Sequence, residues 1–235
     1  MLGGGLDRGA AALIMGPAGS GKSVLATHYA VGAAQRGERA AIYLFEEART
    51  TFLARASALA IHPDEYADRK LLTVQQVDPV TLTPSEFVHR VRDAVERDNT
   101  RVVVIDSLNG YLAAMPDERG LSLNLRELIR YLSQQGVLTL LVVAEHGLAG
   151  GTLKAPVDIS YLADTVIVLR YFETAGEVRR ALSVVKRRIG PHEQTIHELR
   201  IGPGITVGRA LTDFEGVLAG VASRVPSPPK GTDGR

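Results

Sequence analysis

The chain has 235 residues, of which 45% are hydrophobic and 23% charged, a composition typical of a globular domain with a sizeable core. Its formal net charge is +1, so nucleic acid is an unfavoured partner. The absence of cysteine excludes disulfides and thiolate zinc sites. The longest apolar runs are far too short to cross a bilayer, so we expect a cytoplasmic protein without membrane contact.

Strands and helices are predicted to alternate over the first two thirds of the chain. Buried apolar runs indicate the strands Ala10–Met15, Arg39–Phe45, Leu71–Val77, Arg101–Asp106 and Val137–Ala144. Helical periodicity or an initial proline indicates helices ending near Gln35, over Arg49–Ala60, from Pro84 to about Arg97, and over Leu121–Gln135. This alternation implies βαβ units, hence a mostly parallel sheet with helices on both faces.

The last third of the chain has short strands separated by turns rather than by helices. The expected strands are Asp164–Phe172, Glu177–Arg188, Thr195–Ile201 and Ile205–Gly208. They predict an antiparallel β-meander appended to the parallel core. Residues 223–235 have almost nothing apolar to bury, so we expect a disordered tail after a domain spanning 1–222.

A glycine-rich segment follows the first predicted strand and opens the first predicted helix. It reads GPAGSGKS and matches G-x-x-x-x-G-K-[ST] in full. Backbone N–H groups of such a loop point into an anion-sized nest, and the helix N-terminus adds partial positive charge. The sequence predicts a triphosphate-binding loop made of Gly16, Pro17, Ala18, Gly19, Ser20, Gly21, Lys22 and Ser23. Lys22 would reach the β- and γ-phosphates, and the Ser23 hydroxyl would ligate Mg²⁺.

Carboxylates follow two other predicted strands at the same edge of the sheet. Asp106 ends the run VVVID, where a Mg²⁺-binding Walker B aspartate is expected, although an aspartate there can also cap a turn. Glu46 and Glu47 directly follow the second strand, and one of them could orient and deprotonate a water in line with the γ-phosphate. From position alone, the alternative that both stabilise the next helix through its dipole stays open.

Together these motifs resemble the KaiC family of RecA-like ATPases over nearly the whole chain except the tail. The matching segments are LGGGL at 2–6, GPAGSGKS at 16–23, FEE at 45–47, VVVIDSLNG at 102–110, DISYLADTVIVLRYFE at 158–173, GEVRRALSVVKRR at 176–188 and HELRIG at 197–202. The resemblance is closest to the second of the two ATPase domains of KaiC. It implies an α/β fold of the RecA-like P-loop NTPase type and makes ATP with Mg²⁺ the expected ligands.

The resemblance also implies roles for residues outside the phosphate loop. Glu46 and Glu47 match the family's catalytic carboxylates, with Glu46 at the position of the general base; with Lys22 they form the predicted catalytic set. Family members form hexameric rings with ATP between subunits, and a basic triplet that approaches the neighbour's ATP matches 186–188. Because alternate residues of a strand share a face, Lys186 and Arg188 could reach that ATP together, like an arginine finger.

The chain departs from the family pattern at the phosphoacceptors and in the tail. The family's second domain autophosphorylates an adjacent Ser-Thr pair, and the matching residues are Ser160 and Tyr161. Ser160 is the candidate phosphoacceptor, whereas a phenol in the second position differs in reach and acidity. The tail does not match the segment that partner proteins grip in clock KaiC, so neither timekeeping nor a particular signalling partner is implied. More chain precedes LGGGL in the family, so we expect residues upstream of Met1.

The leading hypothesis is a slow signalling ATPase, and two alternatives remain. A RecA- or DnaB-like motor on DNA would need basic loops facing the ring centre, whereas Gly147–Val157 contains a single basic residue, Lys154. A nucleotide-gated module that docks a partner without turnover has the same sequence features as a slow ATPase. Glu145 or His146, after the fifth strand, is a candidate γ-phosphate sensor.

Overall fold

The computed structural model describes residues 1–78, 81–113, 118–145 and 160–224. Its strands are β1 (Ala11–Pro17), β2 (Arg39–Leu44), β3 (Leu72–Gln76), β4 (Thr100–Asp106), β5 (Leu138–Glu145), β6 (Thr165–Thr174), β7 (Glu177–Arg187), β8 (His197–Gly202), β9 (Gly204–Ala210), β10 (Phe214–Glu215) and β11 (Ser223–Arg224). Its helices are α1 (Lys22–Gln35), α2 (Arg49–Ala58), α3 (Pro63–Ala67), α4 (Pro84–Glu96), α5 (Leu108–Ala113) and α6 (Glu118–Gln134). The sequence predicted β1 to β9 and the four longer helices to within about three residues at each end.

One large sheet organises the fold, with strand order β3-β2-β4-β5-β1-β6-β7-β8-β9. The strands from β3 to β6 in this order are parallel to their neighbours, and β6 to β9 pair antiparallel. The predicted parallel α/β core with a C-terminal meander is thereby confirmed. Because parallel strands end at one edge of a sheet, the segments that follow β1, β2 and β4 meet there.

Helices pack on both faces of the parallel part, which explains why its strands are apolar along their length. Core residues of one face, such as Ile14 and Val104, pack with α1 and α2. Core residues of the other face, such as Leu13 and Val103, pack with α4 and α6. Successive strand residues point to opposite faces, so each central strand contributes to both cores.

Four aromatic rings pack together where β2 ends. The Phe87 ring of α4 lies against those of Tyr43, Phe45 and Tyr111, with ring centroids 5.1 to 5.3 Å apart. Phe87 is 1% exposed. Since Tyr111 belongs to α5 and Phe45 directly precedes Glu46, this cluster holds the segment after β2 against α5.

The first two residues of the predicted tail take part in a short strand pair. Ser223 and Arg224 pair with Phe214 and Glu215, and the Arg224 guanidinium lies 6.0 Å from the centroid of the Phe214 ring. Composition does not reveal an arginine that packs on an aromatic face, so this pairing was not predicted, and the domain boundary at 223 stays a prediction. The remaining tail, 225–235, lies outside the described residues.

Three short features were not predicted: α3, α5 and the β10–β11 pair. The two helices have five and six residues, which is too short for an apolar period to emerge from the sequence. Among the helices described, none is long and apolar enough to cross a membrane.

Replacing Phe87 with alanine removes a ring that packs against three others. We expect the free energy of unfolding to fall by about 3–5 kcal/mol, because the lost burial is accompanied by a cavity. Urea unfolding followed by circular dichroism measures the loss. Leu123→Ala, at a position 57% exposed, is the control and should change the free energy by less than about 0.5 kcal/mol. Equal losses in the two variants would contradict this packing argument.

Candidate active site

The phosphate loop joins the end of β1 at Pro17 to the start of α1 at Lys22. Two of its glycines are required by the close approach of neighbouring groups. A Cβ on Gly16 would lie 2.5 Å from the backbone oxygen of Leu169, and a Cβ on Gly21 would overlap the Ile201 side chain. Gly21 also has a φ of 104°, a conformation that residues with side chains rarely adopt. The loop is therefore seated tightly against the first strand of the meander.

Lys22 curls back over this loop. Its buried Nζ donates a hydrogen bond of 2.7 Å to the Pro17 carbonyl. Burial lowers the pKa of Lys22, and the negative charge of Asp106 opposes that shift. The buried Ser20 Oγ has no hydrogen-bond partner within the part of the chain that the structure describes. A buried ammonium and an unsatisfied hydroxyl at a helix N-terminus fit a polyanion such as a triphosphate.

Asp106 is the last residue of β4 and reaches the first turn of α1. The Ser23 hydroxyl donates a hydrogen bond to its carboxylate. Burial raises the pKa of Asp106, while the Ser23 hydrogen bond and the positive charge of Arg55 act in the opposite direction. A hydroxyl and a carboxylate oxygen in contact are the kind of donors that Mg²⁺ takes beside bound phosphates, so the predicted metal ligands fit the ion.

An open cavity of about 720 Å³ lies beside the phosphate loop. It is lined by the polar residues that the sequence singled out after three different strands, namely Lys22, Ser23, Glu46, Glu47 and Asp106. The two glutamates have different partners. Glu47 forms an ion pair of 2.7 Å with Arg55, whereas Glu46 accepts a hydrogen bond from Ser107 Oγ. The structure thus brings the residues predicted to bind phosphate, to hold Mg²⁺ and to accept a proton to one cavity.

Ser107, Asn109 and Gly110 shape the site, although the sequence predicted no individual role for them. Ser107 Oγ accepts a hydrogen bond of 3.3 Å from the Gly110 N–H while donating to Glu46. The Asn109 side chain donates to the Ala144 carbonyl at 2.9 Å and accepts from the Ala144 N–H at 2.8 Å, which ties α5 to β5. A Cβ on Gly110 would lie 3.0 Å from Glu46 Cγ. These small and polar residues closely follow Asp106 in the sequence, and that pattern is the feature from which their supporting role could have been predicted.

Two residues of the meander, Tyr171 and Arg180, contact the phosphate loop. The sequence did not predict them. Tyr171 Oη donates to the Ala18 carbonyl at 3.1 Å, and Arg180 Nε donates to the Gly19 carbonyl at 3.3 Å. The two residues face each other across β6 and β7, with the guanidinium 5.8 Å from the ring centroid. Together they hold the outer carbonyls of the loop, and Arg180 also lines the cavity.

Glu145 takes part in a buried ion pair. It ends β5 beside Pro17, and its carboxylate bonds the Arg170 guanidinium, with side chains 6% and 7% exposed. Arg170 Nε also donates to the Leu218 carbonyl at 3.1 Å. Because its charge is already matched, Glu145 anchors β5 to β6 and to the C-terminal segment, and its role as a γ-phosphate sensor stays a prediction. The alternative sensor His146 and the loop 147–157 with Lys154 lie outside the described residues.

Comparison with known proteins identifies the family. The family model for the KaiC ATPase matches residues 1–211. The chain belongs to the KaiC family. It is 28% identical over 221 residues to the circadian clock protein KaiC3 of Synechocystis sp., covering 94% of this chain and 44% of that relative. It is 26% identical over 231 residues to the circadian clock oscillator proteins KaiC of Acaryochloris marina and Synechococcus elongatus, covering 96% of this chain and 43% of each relative. The chain therefore spans less than half the length of these curated relatives.

The basic triplet of this KaiC-family chain lies far from its own phosphate loop. Arg187, in the middle of the triplet, pairs with Thr165, and Thr165 pairs with Ala12 at the start of β1. The loop begins at Gly16, four residues further along β1, which corresponds to roughly 13 Å of strand. The triplet therefore lies at the opposite edge of the sheet from the cavity of the same chain.

Lys186 and Arg188 contact the same segment, as the period of a strand predicts. Lys186 Nζ donates to the Ser160 carbonyl at 2.8 Å, and Arg188 donates to the Tyr161 carbonyl at 2.6 Å. Arg187 points the other way, to the carboxylate of Asp7 at 3.2 Å. The candidate phosphoacceptor Ser160 thus lies beside the two basic residues and away from its own phosphate loop.

Replacing Lys22 with methionine removes the buried ammonium while keeping a side chain of similar length. We expect the affinity for a fluorescent ATP analogue with Mg²⁺ to fall at least about 100-fold, because the loop loses its cation for the phosphates. Titration followed by fluorescence anisotropy measures this change. Lys70→Met, at an exposed position outside the cavity, should bind as the wild type does. Unchanged affinity in Lys22→Met would refute nucleotide binding at this loop.

Proposed function

We propose that the chain binds ATP with Mg²⁺ and hydrolyses it slowly at the subunit interfaces of a hexameric KaiC-like ring, in signalling or clock-like regulation. The observation that carries this proposal is the shared cavity of the phosphate loop, Asp106 and Glu46. Apolar lining from Leu59 and Ile201 offers a surface suited to a nucleotide base. The names of the relatives, which are circadian clock proteins, support a regulatory role.

Each polar group of the cavity has a role in this proposal. Lys22 binds the β- and γ-phosphates, and Ser23 and Asp106 hold the metal. When bound, Mg²⁺ offsets the charge that develops on the phosphate oxygens during the transfer. Glu46 accepts a proton from the attacking water, and Ser107 fixes the orientation of the Glu46 carboxylate through its hydrogen bond.

The proposed ring supplies the charges that one subunit cannot. Lys186 and Arg188 lie at the opposite edge of the sheet from their own cavity, so they serve the nucleotide of a neighbour. Two exposed apolar side chains, Val185 and Ile189, flank the triplet at 43% and 53% exposure. Apolar residues beside basic ones suit a surface that is covered in an assembly.

Serine autokinase activity at Ser160 is a second candidate function. It is favoured by the hydrogen bond from Lys186 to the Ser160 carbonyl, because Lys186 is one of the residues proposed to face the neighbour's ATP. The hydroxyl would lose its proton to Glu46 of the partner subunit and attack the γ-phosphorus, and the bond to the β,γ-bridging oxygen would break, leaving ADP. The intact mass of the protein after incubation with MgATP reports this transfer.

Glu46→Gln should abolish turnover without abolishing binding. The amide keeps the shape of the side chain but cannot accept a proton, so we expect the rate of phosphate release to fall at least about 100-fold. Affinity for the ATP analogue should stay within about threefold. Phosphate release by Glu46→Gln at the wild-type rate would sink the catalytic assignment. Assembly with ATP but no release by the wild type would favour the nucleotide-gated module.

Mixing two inactive variants tests the interface. Lys22→Met lacks a working phosphate loop, and the double variant Lys186→Ala/Arg188→Ala lacks the basic groups, so each should be inactive alone. In a mixed ring, about a quarter of the interfaces combine the intact loop of one variant with the intact basic groups of the other. We therefore expect phosphate release to recover to about a quarter of the wild-type rate after subunit exchange. No recovery in rings that native mass spectrometry shows to be mixed would contradict action in trans.

A further inference from the structure

The two adjacent glutamates of the cavity are held differently, and the cause lies in α2. The Glu47 carboxylate accepts hydrogen bonds from Arg55 Nε at 3.1 Å and Arg55 Nη2 at 2.7 Å. Glu46 instead accepts from Ser107. We propose that Arg55 is a positioning residue, which neutralises and immobilises Glu47 so that Glu46 alone accepts the proton of the attacking water. This inference rests on the ATPase function proposed above.

The geometry of the pair restrains Glu47 strongly. A guanidinium that bonds both oxygens of a carboxylate fixes its position and its rotation, which a single hydrogen bond does not. Arg55 is itself held, because its guanidinium lies 5.4 Å from the ring centroid of Phe52, a side chain with 0% exposure. The side chains of Arg55 and Glu47 are 29% and 27% exposed, so water only partly screens the pair.

The charge of the cavity explains why such a restraint is useful. Glu46, Glu47 and Asp106 bring three carboxylates to the space that would take a triphosphate. Carboxylates that share a cavity repel one another and the incoming phosphates unless a cation compensates. Lys22 is directed at the loop, whereas Arg55 bonds one of the carboxylates directly. With Glu47 neutralised and fixed, Glu46 is the glutamate that remains to accept the proton of the attacking water.

Arg55 could also line the cavity for two other reasons, and each has a different signature. If it bonded the γ-phosphate directly, its loss would be harmful whether or not Glu47 carries a charge. If it only connected α2 to the end of β2, its loss would lower stability without changing the kinetics of the folded protein. In the positioning role, the loss of activity in an Arg55 variant is caused by the free charge of Glu47, so removing that charge should restore the activity.

A double-mutant cycle on the full chain tests whether activity is restored. Arg55→Gln should lower kcat/KM for MgATP about 30-fold and weaken binding of the ATP analogue about fivefold, because Glu47 is released with its charge. Glu47→Gln alone should change kcat/KM less than about fivefold. The double variant Arg55→Gln/Glu47→Gln should return to within about threefold of Glu47→Gln, since two amides of similar shape replace the ion pair.

Two controls accompany the cycle. Arg49→Gln makes the same substitution at the exposed start of α2, outside the cavity, and should leave both measurements unchanged. Arg55→Lys keeps the charge without the two-pronged contact and should give an intermediate loss; it replaces Arg55→Gln in the cycle if the latter does not fold. The midpoint of thermal unfolding and the oligomeric mass of every variant show whether its kinetics belong to a folded assembly.

Three results would overturn the inference. A double variant as impaired as Arg55→Gln would show that Arg55 acts on the nucleotide directly. A loss in Glu47→Gln as large as that in Glu46→Gln would make Glu47 the proton acceptor. Wild-type kinetics in folded Arg55→Gln would leave Arg55 a structural residue. If the wild type binds ATP without turning it over, the ATPase proposal fails, yet the weakened binding of Arg55→Gln and its recovery in the double variant still decide the role of Arg55.

Discussion

Backbone hydrogen bonds between parallel strands bring Leu44, at the end of β2, level with Asp106 at the end of β4. Asp106 lies level with Val142 of β5, and Val142 with Ile14 of β1, two residues before Gly16. This register places the residues after β2, the end of β4 and the phosphate loop at one edge. A slip by one residue would turn side chains to the opposite face of the sheet and separate the carboxylate from the loop. The polar residues of the cavity therefore depend on hydrogen bonds in which their side chains take no part.

The same concentration of groups creates an electrostatic problem that the fold resolves locally. Carboxylates at the ends of different strands lie close together, and each has a partner of its own. Glu47 has Arg55, Glu145 has Arg170, and Asp106 has the Ser23 hydroxyl. Pairing inside a partly dry site keeps the carboxylates compatible with a bound polyanion, which would otherwise be repelled. The arginines concerned come from α2 and from the meander, outside the strands that supply the acids.

Local patterns predicted much of the fold and of the site. The phosphate loop is contiguous, and Asp106 follows an unbroken β-branched run, so both could be located without knowledge of tertiary structure. The arginine partners of the carboxylates could not be located. Arg55 reaches Glu47 only because α2 folds back over the strand end. Arg170 and Glu145 lie on β6 and β5, the two strands on either side of β1. The pairing of β6 with β7 also contains a bulge, so a count of alternating residues does not give its register.

The hairpin of β6 and β7 joins two distant points of the subunit. Through Tyr171 and Arg180 it grips the outer carbonyls of the phosphate loop, and six residues beyond Arg180, roughly 20 Å along the strand, it presents Lys186. In the proposed ring, each hairpin would thus contact two nucleotide sites, that of its own subunit at one end and that of the neighbour at the other. A displacement of the loop in one subunit would be transmitted to the basic groups at the next site. Hydrolysis around such a ring would be cooperative, with the state of each pocket biasing the one beside it.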